Sequence, residues 1–477
     1  MNASGAPLQS NTALPPLSSA AALAPDEDQT FPDLMSRRYG VRDAAFQAVA
    51  QGGGEHYFSA FALYLHATPL HIGILAALPQ FVGVIAQLAS VKLVQHFGHP
   101  HRLLLTGGWA QTLCWVPLLA LPFLFPQIGP WLLVGCAMLY FAFGHGTAPV
   151  WHSLLAGLVE PEDRGSYFAK RARMTALASF VALGVAGSIL TLGQSWEIAW
   201  LGFVVVFLGS AAARLAALRC QMRISTSGLV QGLEAPKGFR HFLFQTATLN
   251  FRNFLLFSGS MHFAVLLSGP FFVVYLLRDL HWTYLHYAGW MASSLLAQFL
   301  TLTPWGQFGD RYGNKLLLTM TSLAVPLLPL GYVLSENYLF LLGWNFGGGV
   351  IWAGLSLGLQ NYVLDSVRPE ERTRGIALTN AMNAVGWGLG ALTGSWLATV
   401  MPATLAIGSW ELAPASNLPL LFALSGILRL TISVSLLHRF TEPRAVGRPP
   451  HQQLFRELPI IKPLAARLDW RSPRVAQ

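Results

Sequence analysis

The sequence predicts an all-α integral membrane protein with twelve transmembrane helices, arranged as two similar six-helix halves. Three observations predict this fold class. Hydrophobic residues make up 53% of the 477 residues and charged residues only 11%, whereas a typical soluble domain carries about 25% charged residues. Apolar runs long enough to cross a bilayer recur along the chain, and the second half repeats features of the first. Such a chain cannot cover a water-facing surface.

Each apolar run is about as long as the ~20 residues that one helical crossing of a hydrocarbon core requires. Helices are expected because an unclosed strand would leave backbone N–H and C=O groups unpaired in lipid. The twelve predicted spans, numbered 1 to 12 along the chain, cover residues 44–65, 72–91, 103–125, 130–158, 174–194, 198–217, 253–277, 284–305, 316–334, 338–364, 375–401 and 418–437.

Basic residues predict how these spans are oriented, because Lys and Arg are retained on the cytoplasmic side during insertion. With both termini in the cytoplasm, 29 of the 30 Lys and Arg residues fall on the cytoplasmic side, and Arg278 is the exception. A missed span would invert the side of everything after it, so the asymmetry also supports the number of spans. The net charge of +9 is therefore a topological signal and predicts no nucleic-acid binding.

A repeat divides the chain into two halves. Four residues of span 6 recur with identical spacing in span 12: Phe207, Ser210, Arg214 and Leu215 match Phe422, Ser425, Arg429 and Leu430. The predicted halves are 42–218 and 252–438, joined by a polar cytoplasmic linker, 219–251. Residues 1–41 are predicted to be a disordered cytoplasmic tail and residues 439–477 a basic cytoplasmic tail. The three Cys residues imply no extracytoplasmic disulfide framework.

A glycine-rich polar segment connects spans 8 and 9, reading Gly306-Gln307-Phe308-Gly309-Asp310-Arg311-Tyr312-Gly313-Asn314-Lys315. It resembles the cytoplasmic loop signature of the major facilitator superfamily of membrane transporters. Together with the twelve spans and the two halves, the resemblance covers about residues 42–440. It implies a fold whose two halves rock about a central cavity and move a small solute by alternating access.

The resemblance also implies a cytoplasmic gate made by Gly306, Asp310, Arg311, Gly313 and Lys315. Asp310 is expected to face the N-terminus of span 5, near Ser166, and to hold the halves together in one state, because that end of a helix is partially positive. The alternative is a solvated turn that only sets topology. In the first half, Gln95 and His96 replace the Asp-Arg pair, so only the second gate is expected.

The subclass and the substrate stay open. Span 5 lacks the Gly-Pro pattern of the proton-driven drug antiporters of this superfamily, and the segment after span 6 lacks the Pro-Glu-Ser-Pro-Arg type of sequence that sugar porters show. Neither subclass is supported.

Glu55 is the leading candidate for a functional residue, because an ionisable side chain within the membrane is costly and usually faces a cavity or a partner. It follows Gly52-Gly53-Gly54 near the middle of span 1, beside His56. Glycine runs let other groups approach the backbone, so this stretch is expected to line a cavity wall. The alternative is a structural Glu that a neighbouring helix neutralises.

Other polar side chains extend the predicted pathway. His145 and His152 are seven residues apart on one face of span 4, and His262 lies in span 7. Each could bind substrate or pass protons, or could serve hydrogen-bonded packing. Asn345, followed by a glycine run in span 10, could add a hydrogen-bonding surface. The predicted substrate or proton pathway thus comprises Glu55, His56, His145, His152, His262 and Asn345.

Two further patterns predict packing. Arg214 and Arg429 are expected to extend towards lipid phosphate from the cytoplasmic ends of spans 6 and 12. Gly386, Gly390 and Gly394, at four-residue spacing in span 11, predict a close helix contact.

Together these observations predict a secondary active transporter of a small solute, a monomer in the bacterial cytoplasmic membrane, with protons as the candidate coupling ion. No cofactor or metal site is expected, since the sequence has no H-E-x-x-H or Cys pair, and no G-x-x-x-x-G-K-[ST] for nucleotide. The alternative is a membrane receptor or scaffold that kept the fold and lost transport. An intramembrane enzyme is a weaker third alternative, because no nucleophile with a base on a neighbouring helix is evident.

Overall fold

The computed structural model describes residues 27–124, 128–160, 163–225, 248–368, 371–402, 405–407, 410–412, 416–444 and 446. Within these residues all twelve predicted spans are helical. Span 1 joins Glu27–Gly53, a 3₁₀ turn at Glu55–Tyr57, and Phe58–Tyr64. Spans 2 to 6 are Pro69–Phe97, Pro100–Leu113 with Trp115–Leu124, Gly129–Gly157, Arg164–Ser195 and Ala199–Met222.

The second half repeats this arrangement. Spans 7 and 8 are Leu249–Ser268 continued by Phe271–Val274 and a π-helical turn at Tyr275–Asp279, and Tyr284–Tyr312. Span 9 joins Asn314–Ala324, a 3₁₀ segment at Val325–Leu330, and Gly331–Leu334. Spans 10 to 12 are Tyr338–Ser366, Arg372–Val400 and Leu418–Leu436. An antiparallel pair of strands, β1 (Leu405–Ile407) and β2 (Trp410–Leu412), lies between spans 11 and 12.

Span 1 begins earlier than the sequence predicts. Its helix starts at Glu27, so the prediction of a disordered tail over residues 1–41 is wrong from Glu27 onwards. Burial explains the difference. Ser36 is only 2% exposed, and its hydroxyl accepts a hydrogen bond of 3.0 Å from the backbone N–H of Ser225, beyond the end of span 6.

Glycines bring spans 7 and 11 into backbone contact. A Cβ atom added at Gly386, Gly390 or Gly394 would collide with the carbonyl oxygen of Gly259, Phe263 or Leu267, respectively. The three glycines lie on one face of span 11 because they are four residues apart. The predicted close helix contact is therefore confirmed, and its partner is span 7.

Two prolines interrupt the α-helical hydrogen bonds of span 9, and side chains of span 12 bond to the affected carbonyls. Pro326 and Pro329 lack the N–H groups that would bond the carbonyls of Ser322 and Val325 in an α-helix. The hydroxyl of Ser433 donates to Ser322 O at 2.7 Å, and the guanidinium of Arg429 donates to Val325 O at 3.4 Å. Span 12 thus supplies hydrogen bonds to both of these carbonyls.

The two halves meet at the end of the bundle opposite to the termini. Ser395 of span 11 donates a hydrogen bond of 2.6 Å to the carbonyl of Pro69 in span 2. The hydroxyl of Thr191 in span 5 accepts one of 2.8 Å from the backbone N–H of Leu285 in span 8. Apolar side chains of both halves form one continuous core here. A cleft of about 880 Å³ opens between spans 5 and 8 and reaches inwards to Gln51 and His56.

Candidate functional site

The helix of span 1 is interrupted at Gly54, directly before Glu55. Gly54 is buried, and a Cβ atom there would collide with the Trp115 ring and lie 2.6 Å from the Ser210 hydroxyl. The chain continues as a 3₁₀ turn, with the Tyr57 N–H donating to Gly54 O at 2.9 Å. Departures from α-helix geometry are common at functional sites because they re-aim side chains.

The glycine run packs against neighbouring spans, which corrects one expectation. Gly52, Gly53 and Gly54 are all buried, and a Cβ atom at Gly52 would lie 2.5 Å from the carbonyl oxygen of Ser179 in span 5. The glycines were expected to line a cavity wall, but they form the packed face of span 1. Their neighbours Gln51 and Glu55 face the cavity instead.

Four polar residues form a stripe along span 1 and line one cavity of about 280 Å³ inside the first half. Asp43, Gln47, Gln51 and Glu55 are spaced four residues apart, which places them on one face of the span. Spans 3, 4, 5 and 6 supply the opposing walls. The polar and charged residues among these walls are Gln111, Tyr140, His145, Thr147, His152, Arg171, Arg214 and Gln221. We call this the first-half cavity.

Asp43 is the most strongly bonded group of the first-half cavity. Its side chain is only 2% exposed, and Arg171 of span 5 lies 3.2 Å from it in an ion pair. The side-chain amide of Gln221 donates a second hydrogen bond of 2.9 Å to the other carboxylate oxygen. Spans 1, 5 and 6 are thus tied together at one charged centre.

Glu55 lies between two cavities. It lines the first-half cavity beside Gln51, and its carboxyl group faces the hydroxyl of Tyr140 in span 4. That hydroxyl is buried and makes no hydrogen bond of good geometry within the described part of the chain. Glu55 also lines a second cavity of about 330 Å³, which includes residues of spans 2 and 7 and which we call the central cavity. The carboxyl group can therefore be reached from both cavities.

The histidines of span 4 line the same cavity as Glu55. His145 and His152 both line the first-half cavity, with Trp151 between them in the chain. The Arg171 guanidinium stacks over the Trp151 ring, 5.5 Å from its centroid. The structure thus brings together three of the six residues of the predicted pathway.

The other three residues do not line the first-half cavity, although His56 shares the central cavity with Glu55. His56 lines the central cavity and the cleft between spans 5 and 8. His262 lies in span 7, where its ring hydrogen-bonds the Ser258 carbonyl at 2.8 Å and stacks beside Trp387. Asn345 lines a separate cavity of about 330 Å³ in the second half and donates to the carbonyl of Trp290.

Arg214 and Arg429 do not extend to lipid, and that prediction is wrong. They are only 3% and 2% exposed. Arg214 donates through Nε to Gln111 at 2.8 Å, while its Nη1 atom has no hydrogen-bond partner among the described residues. Arg429 donates from Nε to Ser425, from Nη1 to Val325 O and from Nη2 to Ser268. Both arginines point into their own halves because those hydrogen-bond acceptors lie there.

The loop between spans 8 and 9 is bound by residues that follow span 12. Gly313 has a φ of +93°, a left-handed conformation that favours glycine, and ends span 8. Glu442 accepts a hydrogen bond of 2.8 Å from the Lys315 backbone N–H, and Arg444 donates one of 2.8 Å to Gly309 O. Asp310 and Arg311 are exposed, and a Cβ atom added at Gly306 would make only an ordinary packing contact.

Sequence reasoning missed Asp43, Gln111, Arg171, Arg214 and Gln221. Arg171 counts among the basic residues that predict the orientation, and the sequence predicts that Arg214 extends towards lipid. Asp43 lies just outside the predicted span 1, 44–65. One signal was present, because Asp43, Gln47, Gln51 and Glu55 recur every fourth residue.

Comparison with known proteins identifies the fold. The sequence model of the major facilitator superfamily matches residues 254–475. The structure superposes on a point mutant of the nucleoside transporter NupG with a TM-score of 0.65 and 12% identity, covering 86% of this chain and 100% of that one. The resemblance to the major facilitator superfamily is confirmed. A search of curated proteins gave no match.

Other structures of the superfamily fold agree. A bacterial homologue of the iron transporter ferroportin, in an inward-facing state, superposes with a TM-score of 0.62 at 12% identity over 85% of this chain and 98% of that one. A D-xylose-proton symporter gives 0.61 at 14% identity over 88% and 100%. These identities establish the fold alone. These matched proteins are transporters.

Proposed function

We propose that the chain is a secondary active transporter that moves a small solute by alternating access, with Glu55 as the site of a coupled proton. One observation carries the proposal. The break in span 1 presents Glu55 to both the first-half cavity and the central cavity. A group shared by two spaces can exchange a proton with one and respond to a solute in the other.

The contacts between the halves support a rocking motion. Hydrogen bonds and apolar packing join the halves at the end opposite to the termini, while the cleft between spans 5 and 8 reaches inwards to His56. If both termini are cytoplasmic, as the basic residues predict, this is an inward-open state. Breaking the contacts Ser395–Pro69 and Thr191–Leu285 would let the opposite state form.

Glu55 is suited to coupling because rocking changes which aqueous phase reaches the cavities. The protonation of a carboxyl group depends on its hydration and on nearby charges, and both would differ between the two states. With no nucleotide-binding motif in the sequence, an ion gradient is the expected energy source.

We assign the remaining predicted residues to lesser roles within this scheme. His145 and His152 are proposed to line the pathway with Glu55, His56 to line the central cavity, and His262 and Asn345 to line or support the pathway on the second-half side. Asp310, with Gly306, Arg311, Gly313 and Lys315, is proposed to close the cytoplasmic side in the opposite state. We place the protein in the bacterial cytoplasmic membrane as a monomer, with both termini cytoplasmic.

A transport assay in two stages tests the proposal. A thermal-shift screen of the purified protein against metabolites identifies a binding solute, because a ligand of the native state raises its stability. Proteoliposomes carrying the protein should then accumulate that labelled solute when a pH gradient is imposed. Glu55→Gln should abolish gradient-driven accumulation and keep the exchange of labelled for unlabelled solute, because exchange need not release the proton. Glu197→Gln, at an exposed site between spans 5 and 6, is the matched control.

Two outcomes would contradict the proposal. Solute binding without any exchange or accumulation would favour the receptor or scaffold alternative. Wild-type accumulation in Glu55→Gln would remove Glu55 from the coupling mechanism and direct attention to His145, His152 and His262.

A further inference from the structure

The charges of the first-half cavity nearly cancel. Its wall contains two carboxyl groups, Asp43 and Glu55, and two guanidinium groups, Arg171 and Arg214. When Glu55 is ionised these four groups sum to zero, and when Glu55 is protonated they leave one positive charge. The other titratable groups in the wall are Tyr140, His145 and His152, all on span 4. The charge of the cavity therefore depends on Glu55 if the span 4 groups stay neutral.

Arg214 is the guanidinium group of this cavity that has no carboxylate as a hydrogen-bond partner among the described residues, although the charge of Asp43 acts on it from a distance. Asp43 is held by Arg171 at 3.2 Å and by Gln221 at 2.9 Å, so its two oxygens are already engaged. The hydrogen-bond acceptor of Arg214 is the neutral side chain of Gln111. Its Nη1 atom is buried without a partner in the described part of the chain. A buried guanidinium with an unused donor is costly unless an acceptor reaches it.

A second donor lies in the same wall. The Tyr140 hydroxyl is buried, faces the Glu55 carboxyl group and interacts electrostatically with both Glu55 and Arg214, and it makes no hydrogen bond of good geometry within the described part of the chain. A carboxylate accepts several hydrogen bonds and pairs best with a guanidinium group. The cavity of about 280 Å³ is large enough for a small molecule and too small for a bulky one.

We propose that the first-half cavity binds a small monocarboxylate anion against Arg214 and Tyr140, and that Glu55 takes up one proton when the anion binds. The inference rests on the proposed transport function and names its substrate class and stoichiometry. With Glu55 ionised, an added anion would leave the buried cavity with a net charge of −1. With Glu55 protonated, the same anion brings the cavity to neutrality, so anion and proton bind cooperatively.

Isothermal titration calorimetry on the purified full-length protein tests both parts. Acetate, lactate and benzoate serve as probes, and acetamide, lactamide and benzamide are their neutral counterparts. Titrations at neutral pH in two buffers of different ionisation enthalpy give the number of protons taken up per bound anion. We expect at least one acid to bind, its amide not to bind, and about one proton to be taken up.

Substitutions assign the two roles. Arg214→Gln should weaken binding of the carboxylate about 10-fold or more, since it removes the charged hydrogen-bond donor that faces the anion. Arg214→Lys should retain part of the affinity. Arg219→Gln removes a positive charge from an exposed position of the same span and should bind as the wild type does. Glu55→Gln should bind the anion without proton uptake.

Asp43→Asn provides an independent check of the charge count. Removing this negative charge leaves the cavity at +1 even when Glu55 is ionised. Anion binding should then no longer require a proton, so the measured uptake should fall towards zero while the anion still binds. An uptake unchanged from the wild type would contradict the role given to Glu55.

Several results would overturn the inference. Amides that bind as well as the acids, an Arg214→Gln variant with wild-type affinity, or the failure of all three acids to bind would each exclude this anion site. Proton uptake that persists in Glu55→Gln would exclude the coupling. Failure of the transport proposal looks different, because carboxylates would then bind and take up protons without any exchange in proteoliposomes.

Discussion

Arg214 and Arg429 occupy equivalent positions of the two repeats, yet among the described residues only Arg429 has a hydrogen-bond partner on each of its three guanidinium nitrogens. Both arginines line a cavity in their own half, but Arg429 bridges spans 12, 7 and 9, whereas Nη1 of Arg214 has no partner in the described part of the chain. The same residue in the same repeat position is thus fully bonded in one half and keeps an unused donor in the other.

Substituting each arginine should separate these roles. Arg429→Gln removes charged hydrogen bonds of about 1.5 to 3 kcal/mol each, including the one to Val325 O, so we expect a marked fall in the thermal unfolding temperature. Arg214→Gln also relieves a buried charge with an unused donor, so its stability should stay close to that of the wild type or rise. Thermal unfolding of both variants in detergent checks this order. Equal losses of stability would contradict it.

The glycine contact between spans 7 and 11 offers a matched pair of substitutions. Gly390→Ala would place a methyl group against the backbone of Phe263, and overpacking of this kind costs about 1 to 3 kcal/mol. Gly388→Ala, two residues away, meets no atom within 4 Å and should be neutral. Thermal unfolding and yield of the folded protein measure the difference. If both variants unfold at the same temperature and give the same yield, a small separation of the two spans does not lower the stability of the protein.

Asp310 is exposed in this structure, and its role in a cytoplasmic gate is a prediction. If Asp310 binds the N-terminus of span 5 in the opposite state, Asp310→Asn should shift the population towards the present state. The shift should be several-fold at most, because such a contact contributes about 0.3 to 1 kcal/mol.

The measurement for Asp310 uses Leu177→Cys in a background without the three native cysteines. Leu177 lines the cleft between spans 5 and 8 and is 62% exposed. A faster reaction of this cysteine with a water-soluble maleimide is expected in Asp310→Asn. An unchanged rate would mean that Asp310 and Arg311 only set topology.

Orientation in the membrane is predicted from the basic residues. Reporter fusions at Ala20 and Ile460 should both report the cytoplasm, and a fusion at Ala415 should report the opposite side. Termini on opposite sides would exclude an even number of spans.

The spans could be predicted from the sequence, whereas the polar contacts of the first-half cavity could be predicted only in part. Apolar runs predicted all twelve helices, and nine of the described helices are long and apolar enough to cross a hydrocarbon core by length and composition alone. The sequence also located Glu55, His145 and His152, because polar residues are rare at that depth. It could not show that Arg171 and Arg214 turn inwards. An arginine near a helix end is normally interpreted as a charge that sets topology. The interpretation changes only when its partner is known to lie across the bundle, as Asp43 does for Arg171 and Gln111 for Arg214.

The two prolines of span 9 have a consequence for the order in which the membrane protein is made. Span 9 leaves the ribosome before span 12, so the carbonyls of Ser322 and Val325 have no bond from Ser433 or Arg429 until the last span inserts. Carbonyls that lack such donors disfavour transfer into lipid. Span 9 is therefore expected to be less stably inserted in a chain that stops at Met401 than in one that also contains residues 418–437.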